Sequence, residues 1–241
     1  MAGERDSLGN KQVVVIGGTS GIGRAVAQQA AAAGARVMLG SRNQKRVSET
    51  VLLLGPPAEG RVVDVTDRAS LRAFFEAAGQ IDHLVLPGNE VKIAPFQKLS
   101  IEDAQASMLS KFWGQYAAIK AARMMPTGSI TLFSGVASRK PAAGAPALTA
   151  INSAVEALGR ALAVELTPVR VNVIAPGVVE TELWSALPQT SRAEILKQFT
   201  HRQPIPRPGR PEEIASVVLA IMAATFMTGA VIDVDGGTLL V

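Results

Sequence analysis

The chain has 241 residues, 48% hydrophobic and 18% charged, with a formal charge of +4 and no cysteine; that is enough apolar material for one large core, and it excludes a disordered chain. The absence of cysteine excludes a disulfide scaffold, a thiol nucleophile and thiolate metal sites, and two histidines, His83 and His201, leave little imidazole for zinc, so no metal site is expected. The 24 basic and 20 acidic residues are scattered, no basic run suits a nucleic-acid-binding arm, no stretch reaches about 18 uninterrupted apolar residues, and residues 1–10 lack an apolar leader segment; a cytoplasmic protein without nucleic-acid or membrane partners is expected.

Residues 1–10 read as a tail ahead of one domain over 11–241. The apolar, β-branched run 12–16 (QVVVI) predicts a strand, followed by the turn GGTSGIG and an alanine-rich helix over 22–33 that Gly34 closes. A strand over 36–39, a helix over 47–54, a strand over 61–63 and a helix over 67–78, capped by Thr66 or Asp67, follow. Residues 83–86 predict the fourth strand, and Ser100 with Asp103 three residues on has capping-box spacing for a helix running toward residue 125. Then come a strand over 129–133, a helix over 146–166, a strand over 169–175, a helix over 211–224 with Pro211 at its first position, and a strand over 230–234. The span 180–210 holds four prolines, Pro188, Pro204, Pro206 and Pro208. It reads as a short helix plus loop at the sheet's carboxyl edge, a candidate lid. Seven apolar strands separated by helices predict an α/β, Rossmann-like doubly wound parallel sheet with helices on both faces, in a single domain.

Gly17, Thr19, Ser20, Gly21, Ile22 and Gly23 lie between a strand and a helix, the context a phosphate-binding loop needs. Glycines let the backbone approach a pyrophosphate, and the helix N-terminus supplies oriented N–H groups and a positive dipole. The second strand ends in Ser41 and Arg42, with no acidic residue to hold a ribose 2′-hydroxyl. A guanidinium there can fork onto a 2′-phosphate, and NADP(H) is the expected cofactor.

Over nearly its whole length the chain resembles the short-chain dehydrogenase/reductase family. GGTSGIG resembles the family's glycine loop, although Ile16 stands where threonine is usual. The pair Asp64 and Val65 resembles the one that touches adenine. The stretch from Arg170 through Asn172, Pro176, Gly177 and Val179 to Thr181 resembles the segment that positions the nicotinamide carboxamide. RPEEIA from Arg210 and DVDGG from Asp233 resemble the closing helix and strand. LPGN over 86–89 stands at the strand-four signature, with Gly88 as a cofactor contact and Asn89 where glycine is usual. The resemblance also implies a homodimer or homotetramer.

The family reduces carbonyls with a tyrosine as proton donor, a lysine four residues later, a serine and an asparagine. The sole tyrosine, Tyr116, with Lys120 mimics that spacing but lies 56 residues before Asn172, where the family's tyrosine precedes by about two dozen; Tyr116 reads as an ordinary helix residue. The matching register falls on Leu148 and Asn152, the serine position on Gly135 with Ser134 one residue early on the opposite face of a strand, and the asparagine position on Lys111. All four positions have changed. Lys111, Ser138 and Asn152 are the candidate catalytic substitutes, with Asn152 also a cofactor contact and Arg139 a further hydrogen-bond donor. Lys111 equally suits an ion pair or a space-filling exchange with Asn152. His83 reads as structural, and His201 as a lid residue within possible reach of substrate. Two functions remain open: an NADP(H)-linked oxidoreductase with a non-standard site, which is preferred, and a catalytically silent NADP(H)-binding sensor, regulator or partner subunit.

Overall fold

A computed structural model describes residues 8–88, 91–186 and 188–241. The short apolar runs pair as one parallel sheet of β1 (Gln12–Ile16), β2 (Arg36–Ser41), β3 (Glu59–Val62), β4 (Gln80–Leu86), β5 (Arg123–Phe133), β6 (Arg170–Pro176) and β7 (Val231–Val234). Their spatial order is 3-2-1-4-5-6-7, every neighbour parallel. The order reverses between β1 and β4, so a crevice opens at the carboxyl ends of these two strands.

The connecting helices are α1 (Gly21–Ala32), α2 (Gln44–Leu54), α3 (Arg68–Ala78), α4 (Ile101–Met108), α5 (Gly114–Ala121), α6 (Pro146–Glu165), α7 (Gln189–Thr200) and α8 (Pro211–Ala223). Their starts are set by local chemistry. Asn43 accepts from the Arg46 amide at 3.0 Å, which starts α2 three residues earlier than its apolar pattern suggests; Asp67 caps α3 through the Ala69 amide and Ser100 caps α4 through the Asp103 amide. The Glu213 carboxylate accepts from the Arg210 amide at 2.8 Å and closes the first turn of α8.

Two apolar layers cover the sheet. α1 and α8 enclose Val13, Val15, Val26, Ile214 and Val218 on one face, while α3, α5 and α6 enclose Val14, Phe74, Phe75, Leu84, Ile130 and Val155 on the other. Each fully buried side chain of this size contributes about 1.5–3 kcal/mol. Phe74 and Phe75 meet edge to face with centroids 5.3 Å apart. α6 is long and apolar enough to cross a membrane, yet it lies on β6 so closely that a Cβ on Gly159 would come 2.3 Å from Val173 Cγ2. His83 on β4 sits opposite Ser129 on β5, its Nδ1 2.8 Å from Ser129 Oγ, a structural pairing as the sequence suggests.

Several expectations need correction. Residues 8–10 are not a free tail, because Leu8 is buried in the α1 layer and its amide donates to the Ala33 carbonyl. The helix expected over 100–125 is divided: a π-helical turn, Leu109–Trp113, separates α4 from α5, and the chain leaves the helix at Ala122. β5 begins at Arg123, six residues earlier than expected, and carries a register irregularity between the Ile81–Met124 and His83–Ser129 pairings. The lid span holds a 3-10 turn, Glu182–Ala186, as well as the twelve-residue α7. Asn89 lies outside the described residues.

Candidate functional site

At the carboxyl ends of β1, β2, β4 and β5 lies a cavity of about 600 Å³. Its floor is the turn between β1 and α1. Gly23 lets the turn close, since a Cβ there would stand 2.1 Å from the Gly17 carbonyl oxygen. The cavity wall includes Gly17, Thr19, Ser20, Gly21, Ile22, Gly23, Ser41, Arg42, Asp64, Val65, Gly88, Lys111, Pro176 and Thr181, all singled out from the sequence. Fourteen residues from six segments thus converge on one space.

At one end Arg42 follows β2 and Arg46 stands on the first turn of α2, both in the wall. Neither guanidinium has an ion-pair partner among the described residues. Asp64 nearby accepts from the Thr66 amide at 2.9 Å and its hydroxyl at 2.7 Å. These bonds, with Arg42 adding to them, hold the Asp64 carboxyl below its ordinary range, so it is an anion at neutral pH. Sequence reasoning missed Arg46: Arg42 precedes α2, so no helical spacing links the two, and only the fold sets the first turn of α2 on the same wall.

At the other end Lys111 stands in the π-helical turn and is 7% exposed. Its Nζ donates to Asn152 Oδ1 at 2.7 Å and to the Ser134 carbonyl at 3.1 Å. An ammonium has no acceptor, so the Asn152 amide must present its oxygen. Neither partner is charged, and burial alone lowers the Lys111 pKa to about 8. Two glycines leave room for this pair. A Cβ on Gly88 would lie 3.3 Å from Lys111 Cε, and one on Gly135 would lie 3.0 Å from Asn152 Nδ2.

Four expected site residues stand outside the wall. Asn152 is sealed behind Lys111. Ser138 is held away, its hydroxyl donating to the buried Glu156 carboxylate at 2.5 Å and to the Gly135 carbonyl at 3.0 Å. Gly177 packs against Asp235, and Val179 is buried with a β-bridge to Gly209. The Ser134 hydroxyl also turns to Glu156, at 3.0 Å, although the residue borders the cavity. Arg139 pairs with Asp233 and sits 3.7 Å from Glu156. His201 is exposed at the end of α7, its Nδ1 2.9 Å from the Gln198 carbonyl. Tyr116, with Lys120, lines a separate groove between α3 and α5 beside Trp113, as its register implied. Glu182 was missed: it lines the cavity, with one carboxylate oxygen 2.7 Å from the Gly21 amide nitrogen. Nothing local to Glu182 announces a contact with a segment 161 residues away.

A family model described as Enoyl-(Acyl carrier protein) reductase matches residues 17–238. Short-chain dehydrogenase/reductase ATR9 of Stachybotrys chlorohalonatus is 30% identical, the alignment spanning 97% of this chain and 99% of the relative. Among solved structures, the MalC Reductase/Diels-Alderase of Malbranchea aurantiaca superposes with a TM-score of 0.91 at 30% identity, over 99% of this chain and all of its own. A small-chain dehydrogenase in complex with NADPH gives 0.84 at 32% identity, over 96% of this chain and all of its own.

Proposed function

The chain belongs to the short-chain dehydrogenase/reductase family, and from that premise we propose that it is an NADP(H)-linked oxidoreductase of carbonyl or alcohol substrates that uses Lys111 where relatives use a phenol. The residues present suit the cofactor. The glycine turn is too tight for a Cβ at Gly23, the N-terminus of α1 offers N–H groups to a diphosphate, and Arg42 and Arg46 supply unpaired guanidinium groups for a 2′-phosphate. The NADPH bound to one structural neighbour supports the same choice. In this reading Gly17, Thr19, Ser20, Gly21, Ile22 and Gly23 hold the diphosphate, Ser41 and Arg42 the 2′-phosphate, and Asp64 and Val65 the adenine. Gly88, Asn152, Pro176, Gly177, Val179 and Thr181 frame the nicotinamide end, with Asn152 acting through Lys111.

When bound, such a cofactor supplies or accepts hydride. The chain's own task is to manage the charge that develops on the substrate oxygen. The observation that carries the proposal is the contact of Lys111 Nζ with Asn152 Oδ1 at 2.7 Å: in this reading a cation on the facing helix stands beside residue 152, four after Leu148, the register at which the family's motif has lysine. Two of its three protons are used by Asn152 and Ser134, which leaves one for an oxyanion. A pKa of about 8 also lets the ammonium release a proton to an alkoxide near neutral pH and recover it from solvent.

The test is NADPH binding followed by NADPH oxidation across a panel of carbonyls and quinones. Lys111→Ala should leave the NADPH Kd within a few-fold of wild type and lower kcat by about 10²–10³, the cost of an oxyanion donor. Turnover undiminished in Lys111→Ala removes the proposed role. The second reading, a silent NADP(H)-binding sensor, regulator or partner subunit, is favoured by Leu148 at the tyrosine register and Gly135 at the serine register; tight binding without turnover across the panel selects it. Ile101, Leu109 and Trp113, exposed along α4 to α5, support a homodimer or homotetramer, and the composition supports a cytoplasmic location.

A further inference from the structure

The N-terminus of α1 does not cap itself. Ser20, at the cap position, makes no side-chain bond to it, and its first turn carries no acidic residue. The anion that a helix N-terminus favours comes instead from the far end of the chain. Glu182 Oε2 accepts from the Gly21 amide at 2.7 Å, and Glu182 Oε1 pairs with Arg24 Nη2 at 2.9 Å. Thr181 closes in at the same place, where a Cβ on Gly21 would come 3.1 Å from Thr181 Cγ2. Glu182 shares the cavity wall with Thr19, Ser20 and Ile22, the donors to which a dinucleotide diphosphate would turn.

We propose that Glu182 is an internal latch, a carboxylate that occupies the anion position of the glycine turn in the cofactor-free protein and must leave before a dinucleotide diphosphate can settle there. The inference rests on the NADP(H) reading above. One amide N–H cannot serve a carboxylate and a phosphate at once, and two anions sharing one helix terminus repel. Release of Glu182 moves more than one side chain. Trp184, two residues on, donates from Nε1 to the Val179 carbonyl at 2.8 Å and meets the Phe199 ring on α7 with centroids 6.0 Å apart. In this proposal departure of Glu182 shifts the turn Glu182–Ala186, which lines the crevice at Glu182 and Ser185, and reaches α7 behind it through Trp184 and Phe199.

Because the latch exists only in the empty state, it lowers the fraction of protein competent to bind, and its loss shows in association rate more than in dissociation rate. Stopped-flow NADPH binding to wild type, Glu182→Gln and Glu182→Ala, each in a Trp113→Phe background so that Trp184 is the only tryptophan, measures this. The expected result is affinity about 5- to 10-fold tighter in both variants, carried by faster association. Trp184 emission of the empty variants should already resemble that of NADPH-bound wild type. Wild type that binds NADPH while both variants bind equally or more weakly, with unchanged Trp184 emission, overturns the latch and leaves the NADP(H) reading standing. Failure of wild type and variants alike to bind NADPH overturns that reading and the latch with it.

Discussion

Lys111→Met isolates the energetic consequence of the buried ammonium. Methionine keeps the unbranched shape and removes the charge. In the folded protein burial lowers the Lys111 pKa from 10.5 to about 8, so between these values the unfolded chain holds a proton that the folded chain has lost. Wild-type stability therefore rises with pH across this window; the contribution is complete above 10.5 and is lost as pH falls through 8. A displacement of about 2.5 pH units corresponds to about 3 kcal/mol. Against this, methionine leaves Asn152 Oδ1 and the Ser134 carbonyl without their donor, at a cost of about 1–3 kcal/mol. At pH 6.5 the two effects nearly cancel or favour the variant by up to about 2 kcal/mol, and at pH 10.5 only the cost remains, about 1–3 kcal/mol against it. Urea unfolding of both proteins from pH 6.5 to 10.5 reads the difference directly. Stability curves that run parallel, with methionine destabilising by one constant amount, would refute a desolvated ammonium at this position.

His83→Asn should keep the bond to Ser129 while removing a buried imidazole whose pKa burial lowers from 6.5 to about 4; wild type loses up to about 3 kcal/mol as pH falls from 6.5 through 4, and the variant should lack that slope in acid unfolding. Arg42→Ala should weaken NADPH about 10- to 100-fold and leave NADH unchanged, measured by isothermal titration; equal losses for both would remove Arg42 from the 2′-phosphate. Gly23→Ala drives a Cβ toward the Gly17 carbonyl, so dinucleotide binding should vanish and stability fall by about 1–3 kcal/mol in a thermal melt. Asn152→Lys alone brings two buried cations within hydrogen-bonding distance and should cost about 3–5 kcal/mol, whereas Lys111→Asn with Asn152→Lys should recover most of that loss; additive single effects would deny the coupling.

Sequence pattern located β1, β2 and β6 most directly because they are largely buried and read as apolar runs, and located the glycine turn because steric closure at Gly23 demands glycine; β3, Glu-Gly-Arg-Val and mostly exposed, has no such run and starts two residues before its expected place. The pattern failed where the deciding partner lies far away. Leu8 is core only because α1 comes back over it, and β5 extends to Arg123 only because β4 offers backbone partners to a stretch interrupted by Pro126. The π-helical turn around Lys111 has no periodic signature in so short a span. Ser138 read as a candidate catalytic substitute, yet the buried Glu156, four residues after Asn152 on α6, claims its hydroxyl together with that of Ser134. Arg46 was missed because Arg42 lies ahead of α2 and only the fold brings the first turn of that helix to the cavity, and Glu182 because its partner Gly21 is remote in the chain.

Lys111, Asn152, Gly88 and Gly135 pack as one unit. A Cβ at residue 88 would press on Lys111 Cε at 3.3 Å, and one at residue 135 on Asn152 Nδ2 at 3.0 Å, so each side chain would have to give by a few tenths of an ångström. A serine at residue 135 thus crowds Asn152 as placed, and a lysine at residue 152 sets a second buried cation beside Lys111. In the reading proposed here, a change at one of these positions bears on the others, and reversal toward the family's motif one residue at a time passes through states with a tight contact or an uncompensated charge. Among the described residues, the glycine turn, Ser41, Arg42 and Asp64 make no hydrogen bond to Lys111, Gly135, Leu148 or Asn152. In the reading proposed here, cofactor grip and reaction chemistry are therefore physically separable, which lets one end of the cavity keep the family's pattern while the other departs from it.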